Sequence, residues 1–488
     1  MKLLQLLWAA IWILVVAGCS AVDPGPETPV ASVPGAGGEA TSPLLESDSE
    51  RATISGVLPA TAVLRPGKPL AENSGFQLNP TPDPDQPRPV ENRETAPFYA
   101  YTHHRADGNR FVSGQGSLQR ATPIDIPLAG PPQWLVAAPF GDGVLWVVVL
   151  KDGRVQAFLI ANDAVTEQMI SPQRLPPGMP PVLRVLDAQA GLLTSPDPAA
   201  SSLTPPAVLQ PAGGTAHLDV GGGLVLSHGA GSLSTIDALP DTRLLTSEDN
   251  RLLLLTGPTT VYPHGVLGDE TEASGFALIQ AFPEFKIEAA VELTGEVIEG
   301  VAAIWTDLNG DGTREIVVTV SNIDQGARLL IFDEAGDQIA AGPAVGSGFR
   351  WRHQLAAAPF GPGGEMEIVD VLTPHIGGVV EFFRLEGKDL RLMATVPGFR
   401  SHRIGSRNLD MALAGDFDGD GSVELVVPTQ NLFQLGFIRR IQGGAEVAWT
   451  MPIGGRAATN IAAAAPEYGG LALGIGREDN VLRVWTSS

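Results

Sequence analysis

Two short acidic runs carry the most specific chemistry in the chain. One reads Asp307-x-Asn309-x-Asp311-Gly312-x-x-Glu315 and the other Asp416-x-Asp418-x-Asp420-Gly421-x-x-Glu424. Each leads straight into an apolar run, Ile316-Val317-Val318 or Leu425-Val426-Val427. Oxygen donors at alternate positions of a tight loop converge on one hard cation, and the glycines permit the positive backbone angles such a turn needs. Calcium is the cofactor this donor set predicts. The expected ligands are the side chains of Asp307, Asn309, Asp311 and Glu315 in one run and of Asp416, Asp418, Asp420 and Glu424 in the other. Backbone carbonyls of Thr313 and Ser422 are expected at the seventh position. An EF-hand is excluded, because it needs a glutamate at position twelve and flanking helices, whereas Val318 and Val427 stand there and the flanks read as strands.

Other chemistry is sparse. No G-x-S-x-G, H-E-x-x-H, Walker A or G-x-G-x-x-G string occurs, so the chain reads as a non-enzyme. His103 and His104 are adjacent, would point to opposite faces of a strand, and are expected to be solvated. A basic cluster, Arg350, Arg352 and His353 with Arg400, His402 and Arg403, precedes the first strands of two neighbouring repeats. A loop entering a strand lies at the other end from the loop leaving it, so this cluster is expected opposite the acidic turns. There it would form a positive patch for an acidic partner or an anionic polysaccharide, unless its arginines pair with nearby carboxylates. Trp305, Trp351, Trp449 and Trp485 are expected to pack between repeats rather than stack on sugars.

The elements that position these residues are strands. Apolar runs alternate with Gly, Pro and Asp clusters, as in Leu145 to Leu150, then Lys151-Asp152-Gly153-Arg154, then Val155 to Ile160. An Asp-Gly turn between β-rich runs is a hairpin signal. The acidic runs belong to an internal repeat, with degenerate copies at Leu355 to Gly361, Leu135 to Gly141 and Ala463 to Gly469. Asp307, Pro359, Asp416 and Pro466 mark one place in successive copies roughly fifty residues apart, enough for four short strands each. With blurred units centred near Asp187 and Asp249, the spacing predicts an all-β, seven-bladed propeller of four-stranded antiparallel blades.

The acidic motif within such a repeat resembles the FG-GAP/VCBS repeats of integrin alpha-like propellers, in which a DxDxDGxxD loop joins the first two strands of a blade and holds calcium. Glu315 and Glu424 depart from the aspartate usual at the ninth position, and Asn309 from that at the third. The resemblance implies a propeller face that binds protein or polysaccharide, as in adhesion.

The N-terminus reads as a signal peptide over residues 1–18, ending Val16-Ala17-Gly18-Cys19, which resembles a bacterial lipobox. Cys19, the single cysteine, is the expected lipidation site, with palmitate as the test label. Residues 19–92, rich in Pro, Gly and Ser, read as a disordered tether, and 93–488 as the propeller. The net charge of −23 excludes nucleic acid as a partner, since phosphate binding needs a basic field. The expected protein is therefore a lipid-anchored envelope protein facing outside the cytoplasm, on the outer membrane or the external face of the plasma membrane. It is expected to bind a protein or polysaccharide partner. The alternatives are a propeller-based polysaccharide lyase or sugar dehydrogenase, and an envelope-assembly scaffold.

Overall fold

The computed structural model describes residues 96–227, 233–234, 236–466 and 469–487. The expected signal peptide, Cys19 and the expected tether lie outside the described residues. Among the described residues there is no helix, and the strands pair almost entirely antiparallel, as the hairpin signals predict.

The strands form a ring of blade-like units. The first is a four-stranded meander, Pro132–Phe140, Gly143–Leu150, Val155–Ala161 and Ala164–Gln168. Its second strand is buried along its whole length and its fourth is almost wholly exposed, as expected for strands stepping from a crowded interior to a rim. Successive units follow at 182–192, 207–234, 245–292, 304–341, 352–397, 413–452 and 457–486. Four of them carry a β-bulge between third and fourth strands, at Leu278/Ile279, Ile331/Phe332, Phe382/Phe383 and Phe437/Ile438, which adds the twist a blade needs.

The described strands therefore make eight units where the repeat spacing gave seven. The additional one, Ala207–Val208, Thr215–Leu218, Leu224–Leu226 and Leu233–Ser234, lies between the expected centres at Asp187 and Asp249. Its strands are two to four residues long, too short to show a period.

The ring is closed by pairing between segments far apart in the sequence. Pro123–Pro127 pairs antiparallel with Val481–Thr486 as the outermost strand of the last unit. Leu135, Trp146 and Val148 of the first unit share one core cluster with Ala462, Leu482 and Val484 of the last. Asn460 fastens the two first strands: its side chain donates to the Leu135 carbonyl at 2.7 Å and accepts from the Leu135 amide at 2.9 Å.

Residues 98–118 cross the axis of the ring, which the sequence did not predict. Phe98–Tyr101 pairs with Val182–Leu186. The carbonyl of Ala106 accepts from the Thr246 amide and that of Asp107 from the Trp305 amide, both at 2.9 Å. Asn109 makes two bonds to the backbone of Ala357, at 2.7 and 3.0 Å. Phe111–Gln115 then runs parallel to Leu413–Asp416. The segment thus supplies donors and acceptors to the inward edges of the first strands, whose backbone groups are buried and must be paired. The charge of its Arg110 is matched by Asp410 at 2.8 Å, both side chains being almost fully buried, and Arg110 also donates to the Leu355 carbonyl at 2.9 Å. Burial pushes the Asp410 carboxyl up, but Arg110 and Arg243 outweigh it and hold it well below the usual carboxylate range.

His103 and His104 belong to this crossing segment, which corrects the expectation that they are solvated. His103 is buried, and burial pushes it down to about 3 and its neighbour down to about 4, so both are neutral. Removing one partner of the Arg110–Asp410 pair leaves a buried charge uncompensated. Arg110→Met is expected to destabilise the chain by about 3–5 kcal/mol, read by urea unfolding, and the Arg110→Met/Asp410→Asn double variant by less than the sum of the singles. Additive losses would show that the pair does not couple.

Candidate functional site

Both acidic runs form turns between the first and second strands of their units, Ile304–Thr306 to Glu315–Asn322 and Leu413–Asp416 to Glu424–Pro428. The glycines of both turns have positive φ, 78° and 88° at Gly310 and Gly312, and 79° and 88° at Gly419 and Gly421. The backbone coils around the first aspartate in each. Asp416 accepts from the amides of Gly419 and Gly421 at 2.7 and 3.0 Å, and Asp307 from those of Gly310 and Gly312 at 2.6 and 2.9 Å.

The turns differ in how completely they satisfy themselves. In the second, carboxylate oxygens of Asp416, Asp418 and Asp420 lie within 4.8 Å of one another, the one such set of three ligand groups among the described residues. Glu424 stands beneath them, fully buried. Its Oε2 accepts from the Phe417 amide at 3.0 Å, while its Oε1 is buried with no hydrogen-bond partner. Burial first, then Asp418, Asp420 and Asp416, push this carboxyl up to about 8. Arg439 brings positive charge to the cluster, 2.9 Å from Asp420 and 3.7 Å from Asp418. An orphaned buried carboxylate oxygen among three further carboxylates is a donor set that fits a hard cation.

In the first turn the same place is closed by an amide. Asn309 donates from Nδ2 to Glu315 Oε1 at 2.7 Å, and the Leu308 amide donates to Glu315 Oε2 at 2.7 Å, so both oxygens are satisfied. Asn309 Oδ1 accepts from the Asp311 amide at 2.8 Å, and Asp311 from the Thr313 amide at 2.7 Å. Ser422 repeats the last contact in the second turn, its amide donating to Asp420 at 2.8 Å. The two runs look alike in sequence, but the single Asp-to-Asn difference lets one turn hold together through its own hydrogen bonds.

The basic cluster is not the patch its composition suggested. Arg352 is buried and bridges to Asp370 and Glu381 at 2.7 and 2.8 Å. His353 and His402 are buried as well. Burial removes these three from any exposed docking surface; the pairing alternative applies to Arg352. Arg403 bridges to Glu478 at 2.6 Å. Arg350 is exposed, and Arg400 is partly exposed with its charge disfavoured by burial and by Arg456 and Arg403. Trp305, Trp351 and Trp485 are buried, and Trp449 stacks on Phe437 at 4.2 Å, consistent with packing.

Sequence reasoning missed a second polar centre, because its members come from three separate segments. Glu299, buried, accepts from Ser321 and lies 2.6 Å from His264 Nδ1. Glu272 is buried beside it and accepts from the Gly300 amide at 3.3 Å. Burial, then Glu299, push Glu272 up to about 9, against an ordinary 4.5. The native state thus holds a proton that the unfolded chain releases. The stability this gives is full below pH 4.5 and is lost as pH rises through about 9. Melting temperature should therefore fall between about pH 6 and pH 9, and Glu272→Gln should flatten that fall; parallel curves for the two proteins would exclude the assignment.

No protein-family model matches the chain, and no curated protein matches it. Among solved structures it is similar to BBS1N in complex with ARL6DN, at 8% identity over 76% of this chain and 98% of that one, with a TM-score of 0.43. It is also similar to the C-terminal WD40 domain of Sif2, at 10% identity over 75% and 99%, TM-score 0.42. A third is the β-propeller domain of Myceliophteria_thermophila Cps50 (Swd1), at 12% identity over 75% and 100%, TM-score 0.39. The propeller architecture of this chain rests on its own sheet topology and ring closure.

Proposed function

We propose that this chain is an exported β-propeller of the FG-GAP/VCBS type, braced by calcium and serving as a binding module for a protein partner. The observation that carries the reading is the Asp416 turn, where Glu424 Oε1 is buried without a partner beside three carboxylates. A calcium ion there would be held by Asp416, Asp418, Asp420 and Glu424. It would supply the positive charge that lets all four stay ionised. The ion ties the end of the innermost strand, Leu413–Asp416, to the start of the next, Glu424–Pro428. Because Gly116 and Leu118 of the axial segment donate to the carbonyls of Asp416 and Phe417 at 3.0 and 2.9 Å, bracing this turn also braces the plug. The role is mechanical: a rigid ring presents its loops to a partner at little ordering cost.

Calcium at 100 times its dissociation constant should stabilise the native state by about 2.7 kcal/mol. Chelation should lower the melting temperature, and Asp416→Ala should abolish the response. Asp307→Ala should leave most of it, because Asn309 already satisfies Glu315. A melting curve unchanged by chelator would remove calcium from the account.

The membrane reading is supported by the apolar run ending Gly18-Cys19 and by the absence of any other cysteine in the sequence. A lipid on Cys19 would hold the chain on the outside of the envelope, as in lipoproteins. Labelled palmitate should enter the full-length chain, and Cys19→Ser should remain unprocessed and unlabelled. Equal labelling of both would overturn it.

A further inference from the structure

Three of the eight histidines gather on one side of the ring, around Trp351. His375 lies in the turn between Glu367–Leu372 and Val379–Glu386, beside Ile376, which is 84% exposed. His402 lies in the segment that leads into the next unit and is fully buried. Their Nε2 atoms are hydrogen-bonded at 2.9 Å, with the rings 75° apart, so one ring proton is shared along the line that an ion would replace. His353 packs edge-on against His402, its ring centroid 5.5 Å away.

We infer that His375 and His402 form a binding site for a divalent transition-metal ion, distinct from the acidic turns. Two features support it. The first is geometry: with nitrogen–metal bonds of about 2.0–2.1 Å, nitrogens 2.9 Å apart subtend about 90° at the ion, the cis angle of an octahedral centre. Widening the pair by about 0.4 Å reaches the tetrahedral angle. His375 sits on a surface turn between Thr373 and Gly377, both at positive φ.

The second is orientation. Ser401 Oγ lies 2.9 Å from His402 Nδ1. With Nε2 committed to a metal, Nδ1 carries the proton and donates to Ser401, an arrangement that fixes ring and tautomer together. Two nitrogen donors suit zinc, nickel, cobalt or copper and not calcium, which takes oxygen ligands.

The test uses full-length, untagged chain stripped of metal and then saturated with calcium, titrated with cobalt chloride and zinc chloride. Calorimetry should give one cobalt or zinc ion per chain, and bound cobalt should acquire a visible absorption band. His375→Ala removes a partly exposed side chain and should weaken binding at least about tenfold, by loss of chelation, with the metal-free melting curves of both proteins recorded to confirm folding. Asp416→Ala should bind both ions as the wild type does, separating this site from the calcium reading. Ser401→Ala should weaken binding about tenfold. If His402→Gln fails to fold, His375→Ala decides. No binding up to millimolar metal, or equal binding by wild type and His375→Ala, would overturn the inference.

Discussion

Closing a sheet-built ring on itself leaves one problem at its centre, and most of the structure depends on how it is met. The first strand of every unit turns one edge towards the axis, and the backbone groups on that edge cannot remain unpaired once water is excluded. Residues 98–118 meet that need. They reach the inward strands of six of the eight units, through Val182–Leu186, Thr246, Trp305, Ala357, Leu413–Asp416 and Ile461. The price is a buried polar seam, balanced by Arg110 against Asp410 and by neutral histidines at 103 and 104.

The same seam connects the axis to the acidic turn. Asp416 ends an inward strand, accepts from the axial segment through its carbonyl, and holds its own turn together through its side chain. A cation bound at that turn would act on the element that fills the ring, so that a surface ligand and central packing are one mechanical system. The Asp307 turn has the same backbone and a different economy of hydrogen bonds, because an amide can donate where a carboxylate cannot.

Away from the acidic turns, charge is handled by pairing and burial. Arg352 sits between Asp370 and Glu381, and Arg440 is buried against Glu367 at 2.8 Å. Desolvation would make these groups costly alone, and each has its partner within the same or the neighbouring unit. Burial above all holds the histidines at 353, 375 and 402 below their ordinary value.

The fold class was legible in the sequence because a propeller is a local structure repeated: hairpin turns, short apolar runs and a recurring acidic loop each report on a few neighbouring residues. The Asp416 and Asp307 turns were legible for that reason, their donors lying within nine residues. What only tertiary structure decided depends on contacts between distant segments. The eighth unit hides in strands of two to four residues, too short to carry a period. The axial path of residues 98–118 follows from backbone groups that need partners, and unpaired backbone has no sequence signature. The burial of Arg352, His353 and His402 reversed the expectation of a basic patch. Residue type records a charge, whereas exposure is set by whichever chain folds over it. Even the difference between the two acidic turns at one side-chain donor position, Asn309 against Asp418, took its meaning from where the Asn309 amide points.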